Sequence, residues 1–132
     1  MKFNPRLKAD IMRYIEYVII VEGKKDVYAL RALGFNKIYA IHETGVPLRV
    51  KIEEIAKKLN KKDKVCILTD FDKKGKPLYF HVKPIFQEFV VKLDSTLRGL
   101  LLMGGLSHIE GLKSFIDQAT NDNKVKRNWE VR

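Results

Sequence analysis

Two aspartates directly follow a short apolar run. Asp70 and Asp72 come after the run Val65 to Thr69, and a basic turn, Lys73 to Gly75, comes next. In extended chain, side chains two residues apart lie on the same face, so we expect both carboxylates to reach one point. Two acids held together at the end of a buried strand are costly unless a proton or a cation neutralises them. A hard divalent cation with oxygen ligands does this well, so the stretch predicts a metal site.

Further acids follow two other strand-like runs. Glu22 comes after Tyr17 to Val21, and Glu43 comes after Lys37 to His42. If the strands are parallel, these acids and the two aspartates lie along one edge of the sheet. Open α/β sheets bind ligands at the carboxyl ends of their strands. The alternative is that such acids form turns, or favour helix N-termini through the helix dipole.

The elements that must position these acids alternate between strand and helix patterns. Asn4 and Pro5 predict the start of a first helix, from about Pro5 to Glu16. Apolar residues at helical spacing predict a second helix that ends at Gly34 and a third that begins at Pro47. The predicted strands are Tyr17 to Val21, Lys37 to His42, Val65 to Thr69 and, more weakly, Val90 to Leu93.

The second half of the chain predicts further short helices. A helix from Leu78 to Phe89 contains Pro84, where we expect a kink or a break. Ser95 is expected to cap a helix from Thr96 to Met103. The segment Leu106 to Leu112 is irregular or a last short strand, and Lys113 to Ala119 is a final helical turn or two.

The alternation predicts an α/β fold with a mostly parallel sheet covered by helices on both faces. The 132 residues are expected to form one domain. Its parts are an N-terminal helix (1–16), a core (17–119) and a basic C-terminal tail (120–132). We expect the tail to be frayed, with pinning by Trp129 as the alternative.

The net charge of +10 favours a polyanionic partner, nucleic acid before an anionic membrane. The alternative is a lysine-rich surface with no such partner. Cys66 is the one cysteine, so we expect no disulfide within the chain and a reducing, cytoplasmic location. No signal peptide is expected at the N-terminus, and Leu97 to Leu106 is too short to span a bilayer.

Two motifs carry a resemblance to a known family. The stretch Val18 to Leu30 reads V-I-I-V-E-G-K-K-D-V-Y-A-L, and Leu68 to Gly75 reads L-T-D-F-D-K-K-G. Together they resemble the Toprim domain, which occurs in topoisomerases, bacterial primases, OLD-type nucleases and recombination proteins. A strand ending in Glu-Gly and a later strand ending in Asp-x-Asp are the hallmarks of that family. The resemblance implies a compact, Rossmann-like Toprim fold with four strands.

Two shorter segments refine the resemblance. His42 to Gly45 (H-E-T-G) is similar to a segment in the N-terminal domain of the bacterial 5S ribosomal RNA maturation nuclease. Ser107 to Leu112 (S-H-I-E-G-L) is similar to one in small stand-alone Toprim proteins. The zinc-binding, flanking and RNA-binding domains of the larger relatives are not expected in these 132 residues, and Tyr79 does not match the topoisomerase nucleophile.

The expected site is a Mg²⁺ (or Mn²⁺) centre that acts on a phosphodiester bond of a nucleic acid. Asp70 and Asp72 are expected to hold the ion, and the resemblance implies that Glu22 is a ligand or the general acid/base. Asp26 and Glu43 are further candidate ligands. The expected phosphate contacts are Gly23, Lys24, Lys25, Lys73, Lys74 and Lys76.

Other residues carry less specific signals. His42, His81 and His108 are too scattered for a zinc spacing rule, and a structural role is expected for each. Glu110 is expected to approach the acidic edge if its segment ends a strand. No base partner for Ser107 is evident from the sequence.

Three functions remain open. The first is a small nuclease or other nucleic-acid-processing enzyme. The second is a non-catalytic RNA- or DNA-binding module of a larger complex, with a protein partner that recognises the substrate. The third is a small-molecule phosphate enzyme, against which the charge of +10 argues. A homodimer is compatible with each.

Overall fold

The structure, a computed structural model, describes residues 4–120. Within that range the strands are β1 (Val18–Val21), β2 (Ile38–Ala40), β3 (Lys64–Ile67) and β4 (Lys92–Leu93). The helices are α1 (Leu7–Met12), α2 (Lys24–Ala32), α3 (Leu48–Lys58), α4 (Gly75–Glu88), α5 (Thr96–Met103) and α6 (Leu112–Thr120), with a 3-10 turn at Ile109–Gly111. Of the helices in this range, none is long and apolar enough to cross a membrane.

The strands form one parallel sheet in the order β2-β1-β3-β4. Ile19 of β1 lies opposite Ile38 on one side and Cys66 on the other. All four residues of β1 are buried, which explains its unbroken run of β-branched side chains. The predicted α/β fold with a four-stranded parallel sheet is therefore confirmed.

Helices cover both faces of the sheet and define two apolar cores. Ile19 and Val21 point into the first core, which is built from α1, α2, α5 and α6. Val18 and Ile20 point into the second, which is built from α3 and α4. Successive side chains of a strand face opposite sides, so β1 contributes to both. As a result, α2 and α4 start at the same edge of the sheet but lie on opposite faces.

Cys66 is fully buried in β3. Burial, together with the nearby charge of Asp94, raises the pKa of its thiol to about 12. The residue therefore stays a neutral thiol near pH 7 and packs as a small apolar side chain.

The first helix is shorter than the sequence predicts. It was expected from Pro5 to Glu16 but spans Leu7–Met12. Beyond it the chain continues in turns, in which the amides of Tyr14 and Ile15 bond to carbonyls three residues earlier. These tighter turns end the helix before the chain enters β1.

The expectation at Pro84 was a kink or a break, and the break does not occur, because α4 runs without interruption through that residue. Pro84 is exposed, and so is Phe80, whose carbonyl loses its amide partner. On the opposite side Val82, Ile85 and Phe86 are buried and hold the helix against the sheet.

The prediction that the Ser95 side chain caps α5 is also wrong. Ser95 occupies the N-cap position of α5, but its side chain makes no capping hydrogen bond. The side chain of Asp94 accepts the Thr96 amide instead, at 2.8 Å.

The fourth strand is shorter than expected because Val90 ends the helix before it. Val90 has a φ of 59°, in the left-handed region, and does not join β4. At the other end of the chain, α6 extends to Thr120, the last described residue. The rest of the predicted basic tail, including Trp129, lies outside the described residues.

Candidate active site at the carboxyl edge of the sheet

Asp70 is held by a distant segment of the chain. β3 ends at Ile67, and Leu68 continues the pairing by donating its amide to the Ile20 carbonyl at 2.7 Å. Two residues later, Oδ1 of the half-buried Asp70 accepts the Ile109 amide at 3.0 Å. The Phe71 amide donates to the Ser107 carbonyl at 2.9 Å. The turn after β3 is therefore fixed against residues 107–109.

Asp72 has two partners of its own. Its Oδ1 accepts the Gly75 amide at 2.8 Å, and its Oδ2 lies 3.2 Å from His108 Nε2. The Gly75 hydrogen bond is the main cause, and the charge of His108 a further one, that lowers the pKa of Asp72. Asp70 and Asp72 thus contact adjacent residues of one segment.

His108 was expected to be a structural histidine, and a partner for Ser107 was not evident. Instead, the ring of His108 lies between two side chains, with Nδ1 2.9 Å from Ser107 Oγ and Nε2 beside Asp72. All three side chains reach the surface, so the ring is oriented at the open acidic edge. No sequence signal identifies this contact, because the aspartate and the histidine are far apart in the chain.

Gly75 packs directly on the backbone of Asp70. It is the buried first residue of α4 rather than a free turn residue. A Cβ placed on Gly75 would lie 2.0 Å from the Asp70 carbonyl oxygen and 2.8 Å from its Cα. Only glycine allows this approach, so the residue fixes where α4 starts relative to Asp70.

Asp26 is the buried acid of the site. It is 9% exposed and accepts the Gly23 amide at 3.2 Å, as the acidic half of a capping box at the start of α2. Burial is the largest cause that raises the pKa of Asp26, and the charges of Asp70, Glu22 and Glu110 raise it further. Asp70, Glu22 and Glu110 therefore lie within electrostatic reach of Asp26.

Glu22 and Glu43 line a common cavity of about 460 Å³, together with His42, Thr44 and Leu78. Glu22 is exposed at the end of β1, where its carbonyl accepts the His42 amide at 3.0 Å. Glu43 is also exposed but forms an ion pair with Lys51 at 3.2 Å. The expected position of Glu43 on this edge is thus observed, with a lysine as its partner.

Arg98 is the residue that sequence reasoning missed. It is only 7% exposed and donates to the carbonyls of Ile67 at 3.3 Å and Thr69 at 2.7 Å. Its guanidinium lies 4.0 Å from the ring centre of Tyr79 and 4.5 Å from that of Phe71. A single cation among the leucines of α5 was the one available sequence signal. Arg98 binds the end of β3 immediately before Asp70.

Burial lowers the pKa of Arg98, whereas the nearby Tyr79 and Asp70 act in the opposite direction. The guanidinium nevertheless remains charged at neutral pH, because an arginine starts from a value far above 7. The positive charge therefore lies directly behind the acidic turn.

The expected phosphate-contacting lysines surround this edge. All five are exposed, and none is within ion-pair distance of a carboxylate among residues 4–120. They are Lys24, Lys25, Lys73, Lys74 and Lys76. Gly23, the N-cap of α2, has an extended backbone, and a Cβ added to it would meet no atom within 4 Å. The space next to the Cα of Gly23 is therefore open.

The donor chemistry of the edge suits a hard cation. The available ligands are carboxylate oxygens, which Mg²⁺ prefers, and Mg²⁺ usually takes only one or two of them besides water. Among residues 4–120, no group of three or more His, Cys, Asp or Glu side chains is arranged to hold a metal ion by itself. By themselves, the side chains of residues 4–120 therefore form no complete metal site.

Comparison with known proteins defines the class. The chain belongs to the Toprim domain family, whose model matches residues 17–96. The membership predicted from the Glu-Gly and Asp-x-Asp motifs is confirmed. The matched span contains Glu22, Asp26, Asp70 and Asp72, whereas Arg98 and residues 107–109 lie beyond it.

Similar proteins include small archaeal ones. A UPF0292 protein of Methanocaldococcus jannaschii is 33% identical over 109 residues, which cover 78% of this chain and 80% of that protein. A UPF0292 protein of Pyrococcus horikoshii is 33% identical over 104 residues, covering 79% and 75%. These small proteins are close relatives of the chain.

A nuclease is similar over a shorter span. Ribonuclease M5 of Mycoplasma mycoides, a 5S ribosomal RNA maturation nuclease, is 37% identical over 67 residues. The match covers 51% of this chain and 38% of the ribonuclease. Among solved structures, a putative protein from Aquifex aeolicus has the same fold, with a TM-score of 0.65 at 24% identity; the match covers 80% of this chain and 94% of that one.

Proposed function

We propose that the chain is a Mg²⁺-dependent (or Mn²⁺-dependent) enzyme that acts on nucleic-acid phosphodiesters, as a small nuclease or RNA/DNA-processing enzyme. The observation that carries the proposal is that Glu22, Asp26 and Asp70 follow the neighbouring parallel strands β1 and β3 at one edge of the sheet. Family membership and the partial similarity to ribonuclease M5 support a nucleic-acid-processing role. We assign this role to one Toprim domain with an added N-terminal helix.

The metal belongs to the acidic turn after β3. Toprim domains generally bind Mg²⁺ through acidic residues. Asp70 and Asp72 would hold the ion, and Glu22 would be a third ligand or act as the general acid/base. When bound, the ion would polarise the phosphoryl group and orient the leaving oxygen.

The protein groups around the turn have distinct tasks. The amides of Ile109 and Gly75 hold the two aspartates in fixed orientations. This leaves Oδ2 of Asp70 for a ligand, whereas Oδ2 of Asp72 lies beside His108. Glu22 is exposed at the end of β1. As the general acid/base it would exchange a proton with an attacking or leaving oxygen. The open space next to the Cα of Gly23 admits a phosphate to the start of α2, where amide groups favour an anion.

Cleavage assays with matched variants test the proposal. Structured RNA and single-stranded, double-stranded and supercoiled DNA are incubated with Mg²⁺ or Mn²⁺. Asp70→Asn and Glu22→Gln should each lower cleavage by about 100-fold or more, the usual size of a lost general acid/base. Glu54→Gln is the control, because Glu54 is exposed on α3 and its contact is a 4.0 Å pair with Lys51. Equal cleavage by Asp70→Asn and the wild type would contradict the proposal.

A second candidate is a non-catalytic nucleic-acid-binding module of a larger complex, either with a protein partner or as a homodimer. The contact between Asp72 and His108 favours it, because that carboxylate already has a partner. So does the lack of a three-ligand cluster among residues 4–120. Salt-sensitive binding of the polymers without metal-dependent cleavage would support this candidate.

A further inference from the structure

Two large aromatic side chains are exposed on the helices that start at the acidic edge. Tyr28 on α2 is 65% exposed and Phe80 on α4 is 70% exposed. Each lies five or six residues after the N-cap of its helix, which is about 8 Å along the axis. The other large exposed apolar side chains among residues 4–120 are aliphatic: Val50, Val90, Leu102 and Met103. The exposed aromatics therefore flank the candidate site, one on each face of the sheet.

Phe80 packs on Tyr79, which in turn contacts Arg98 behind the acidic turn. Its ring packs edge-on against Tyr79, with centroids 5.3 Å apart and an interplanar angle of 73°. Tyr79 in turn covers the guanidinium of Arg98 at 4.0 Å. The ring of Phe80 is thus held from one side, while most of its surface faces solvent.

Basic residues adjoin both aromatics. Residues three and four apart on a helix are neighbours on its surface. This spacing puts Lys76 and Lys83 beside Phe80; the ammonium of Lys83 lies 5.8 Å from the Tyr79 ring. On α2, the same spacing puts Lys24, Lys25 and Arg31 beside Tyr28. We call these two sets the aromatic-basic faces of α2 and α4.

The charge of both faces is uncompensated. None of their five basic residues forms an ion pair within residues 4–120. The one acid of α4, Glu88, is paired with Arg49 of α3. On α2, the one acid is the buried Asp26. The aromatic-basic faces therefore present flat apolar rings next to free positive charge.

We propose that Tyr28 and Phe80 are stacking platforms for unpaired bases of a single-stranded nucleic acid that crosses the acidic edge. The inference rests on the proposed function in taking nucleic acid as the substrate, and it specifies the single-stranded form. Base stacking on aromatic side chains beside a basic surface is how single strands are bound without sequence preference. A protein partner fits less well, because lysine is depleted in the centres of protein interfaces.

The test measures binding without chemistry. Single-stranded RNA and DNA of one sequence, each with a 2-aminopurine, and the matched duplex are titrated with the full chain in EDTA. Stacking on a platform quenches the 2-aminopurine fluorescence. Tyr28→Ala and Phe80→Ala should each weaken single-strand binding by about 5- to 100-fold, the value of one stacked base. Duplex binding should change less than about twofold, and Phe80→Trp should retain both affinity and quenching.

Two further variants complete the design. Met103→Ala removes an apolar side chain that is 91% exposed but lies on α5, so single-strand affinity should be unchanged. A plot of the logarithm of the single-strand binding constant against the logarithm of the salt concentration should be less steep by about 0.7 for Lys76→Ala. Phe80→Ala should leave this slope unchanged. The substituted side chains are all largely exposed, so circular dichroism and the thermal midpoint should match the wild type.

The outcomes separate this inference from the proposed function. Unchanged single-strand affinity and quenching in both alanine variants would overturn the stacking inference, even if the wild type cleaves nucleic acid. Loss of stacking in the variants, with no cleavage by the wild type, would support the inference and overturn the proposed enzyme. Loss of self-association in Tyr28→Ala or Phe80→Ala, with oligonucleotide binding unchanged, would show a protein contact and overturn the inference.

Discussion

The guanidinium of Arg98 donates a 2.7 Å hydrogen bond to the carbonyl of Thr69, the residue immediately before Asp70. The contact joins α5 to the point where β3 passes into the acidic turn. It comes from a side chain that is stacked between Phe71 and Tyr79 and shielded from water. The position of Asp70 therefore depends on a residue that is not itself an acid.

Replacing Arg98 should affect both stability and metal binding. Arg98→Met leaves the buried carbonyls of Ile67 and Thr69 without this donor, which should lower the free energy of unfolding by about 1–3 kcal/mol. Arg98→Lys keeps a charge but loses the planar stacking and the fork of donors. Its free energy of unfolding should therefore lie between those of the wild type and Arg98→Met. Urea denaturation measures stability, and Mn²⁺ titration measures metal affinity, which should fall in both variants.

Arg49 provides the matched control for Arg98. It also faces an aromatic ring, that of Phe89 at 6.0 Å, and is paired with Glu88, but its side chain is 60% exposed. Arg49→Met should change stability by no more than about 1 kcal/mol and leave Mn²⁺ affinity unchanged. Equal effects of the two methionine variants would contradict a specific role for Arg98.

Gly75→Ala should disrupt the acidic turn. Its new methyl group would lie 2.0 Å from the Asp70 carbonyl oxygen, so backbone must move, at a cost of about 1–3 kcal/mol. Gly23→Ala is the contrasting variant, because its methyl group meets nothing within 4 Å and its φ of −143° suits any residue. It should cost less than about 1 kcal/mol, the loss of a good N-cap residue.

The two glycine variants should differ again in cleavage assays. Gly75→Ala should lose cleavage together with stability. Gly23→Ala should stay folded yet cleave less, because its methyl group occupies the expected path of a phosphate. Chemical denaturation and cleavage rates are measured on the same samples. Full cleavage by Gly23→Ala would remove that residue from the phosphate contacts.

Asp26→Asn should stabilise the protein at neutral pH in EDTA. Burial, followed by the neighbouring carboxylates, raises the pKa of Asp26 in the fold above its ordinary value of 3.8. An acid of this kind supports folding below pH 3.8 and loses that support as the pH rises through the raised folded value. Asparagine keeps an oxygen for the Gly23 amide but carries no charge. The increase in the free energy of unfolding of Asp26→Asn over the wild type should therefore be absent at about pH 3 and present at about pH 7.

The pH series has its own control in Asp63. This aspartate also accepts an amide three residues away, that of Asn60 at 2.8 Å, but it precedes β3 at the amino edge of the sheet. Asp63→Asn should therefore give no gain at neutral pH. Mg²⁺ should then stabilise the wild type more than Asp26→Asn, because the ion neutralises the acids that oppose Asp26. A gain in Asp26→Asn that is the same in acid and at neutral pH would exclude the charge as its cause.

Val90→Gly should make the protein more stable. Val90 is a β-branched residue with a φ of 59° and is 89% exposed. The left-handed conformation costs such a residue about 1–2 kcal/mol, whereas glycine adopts it freely but loses about 0.5–1 kcal/mol of backbone entropy. The net gain should be roughly 0.5–1 kcal/mol, seen as a higher thermal midpoint. Val50→Gly, inside α3, is the control and should lower it.

Local patterns predicted the strands and the edge on which the acids gather. The β-branched run of β1 is buried on both faces, as its composition indicated, and Glu22 follows it directly. The sequence also placed Asp26 at the start of α2. These features depend on residues that are close together in the chain, so spacing and residue type were enough.

The contacts that orient the acids could not be predicted in the same way. The bond from the Ile109 amide to Asp70 joins residues 39 positions apart, and it involves a backbone group that carries no sequence signal. The need for glycine at position 75 arises from packing on the Asp70 backbone rather than from a turn. Pro84 misled the prediction because tertiary packing of α4 outweighs one lost hydrogen bond.

The family match ends at residue 96, yet three residues that support the acidic turn lie beyond it: Arg98, His108 and Ile109. The acids of the shared motif and several of their supports are thus carried by separate stretches of chain. Two Toprim proteins can share every acid of the common motif and still differ in how rigidly those acids are held. Exchanging residues 97–111 between relatives would then retune the site without touching the acids of the shared motif.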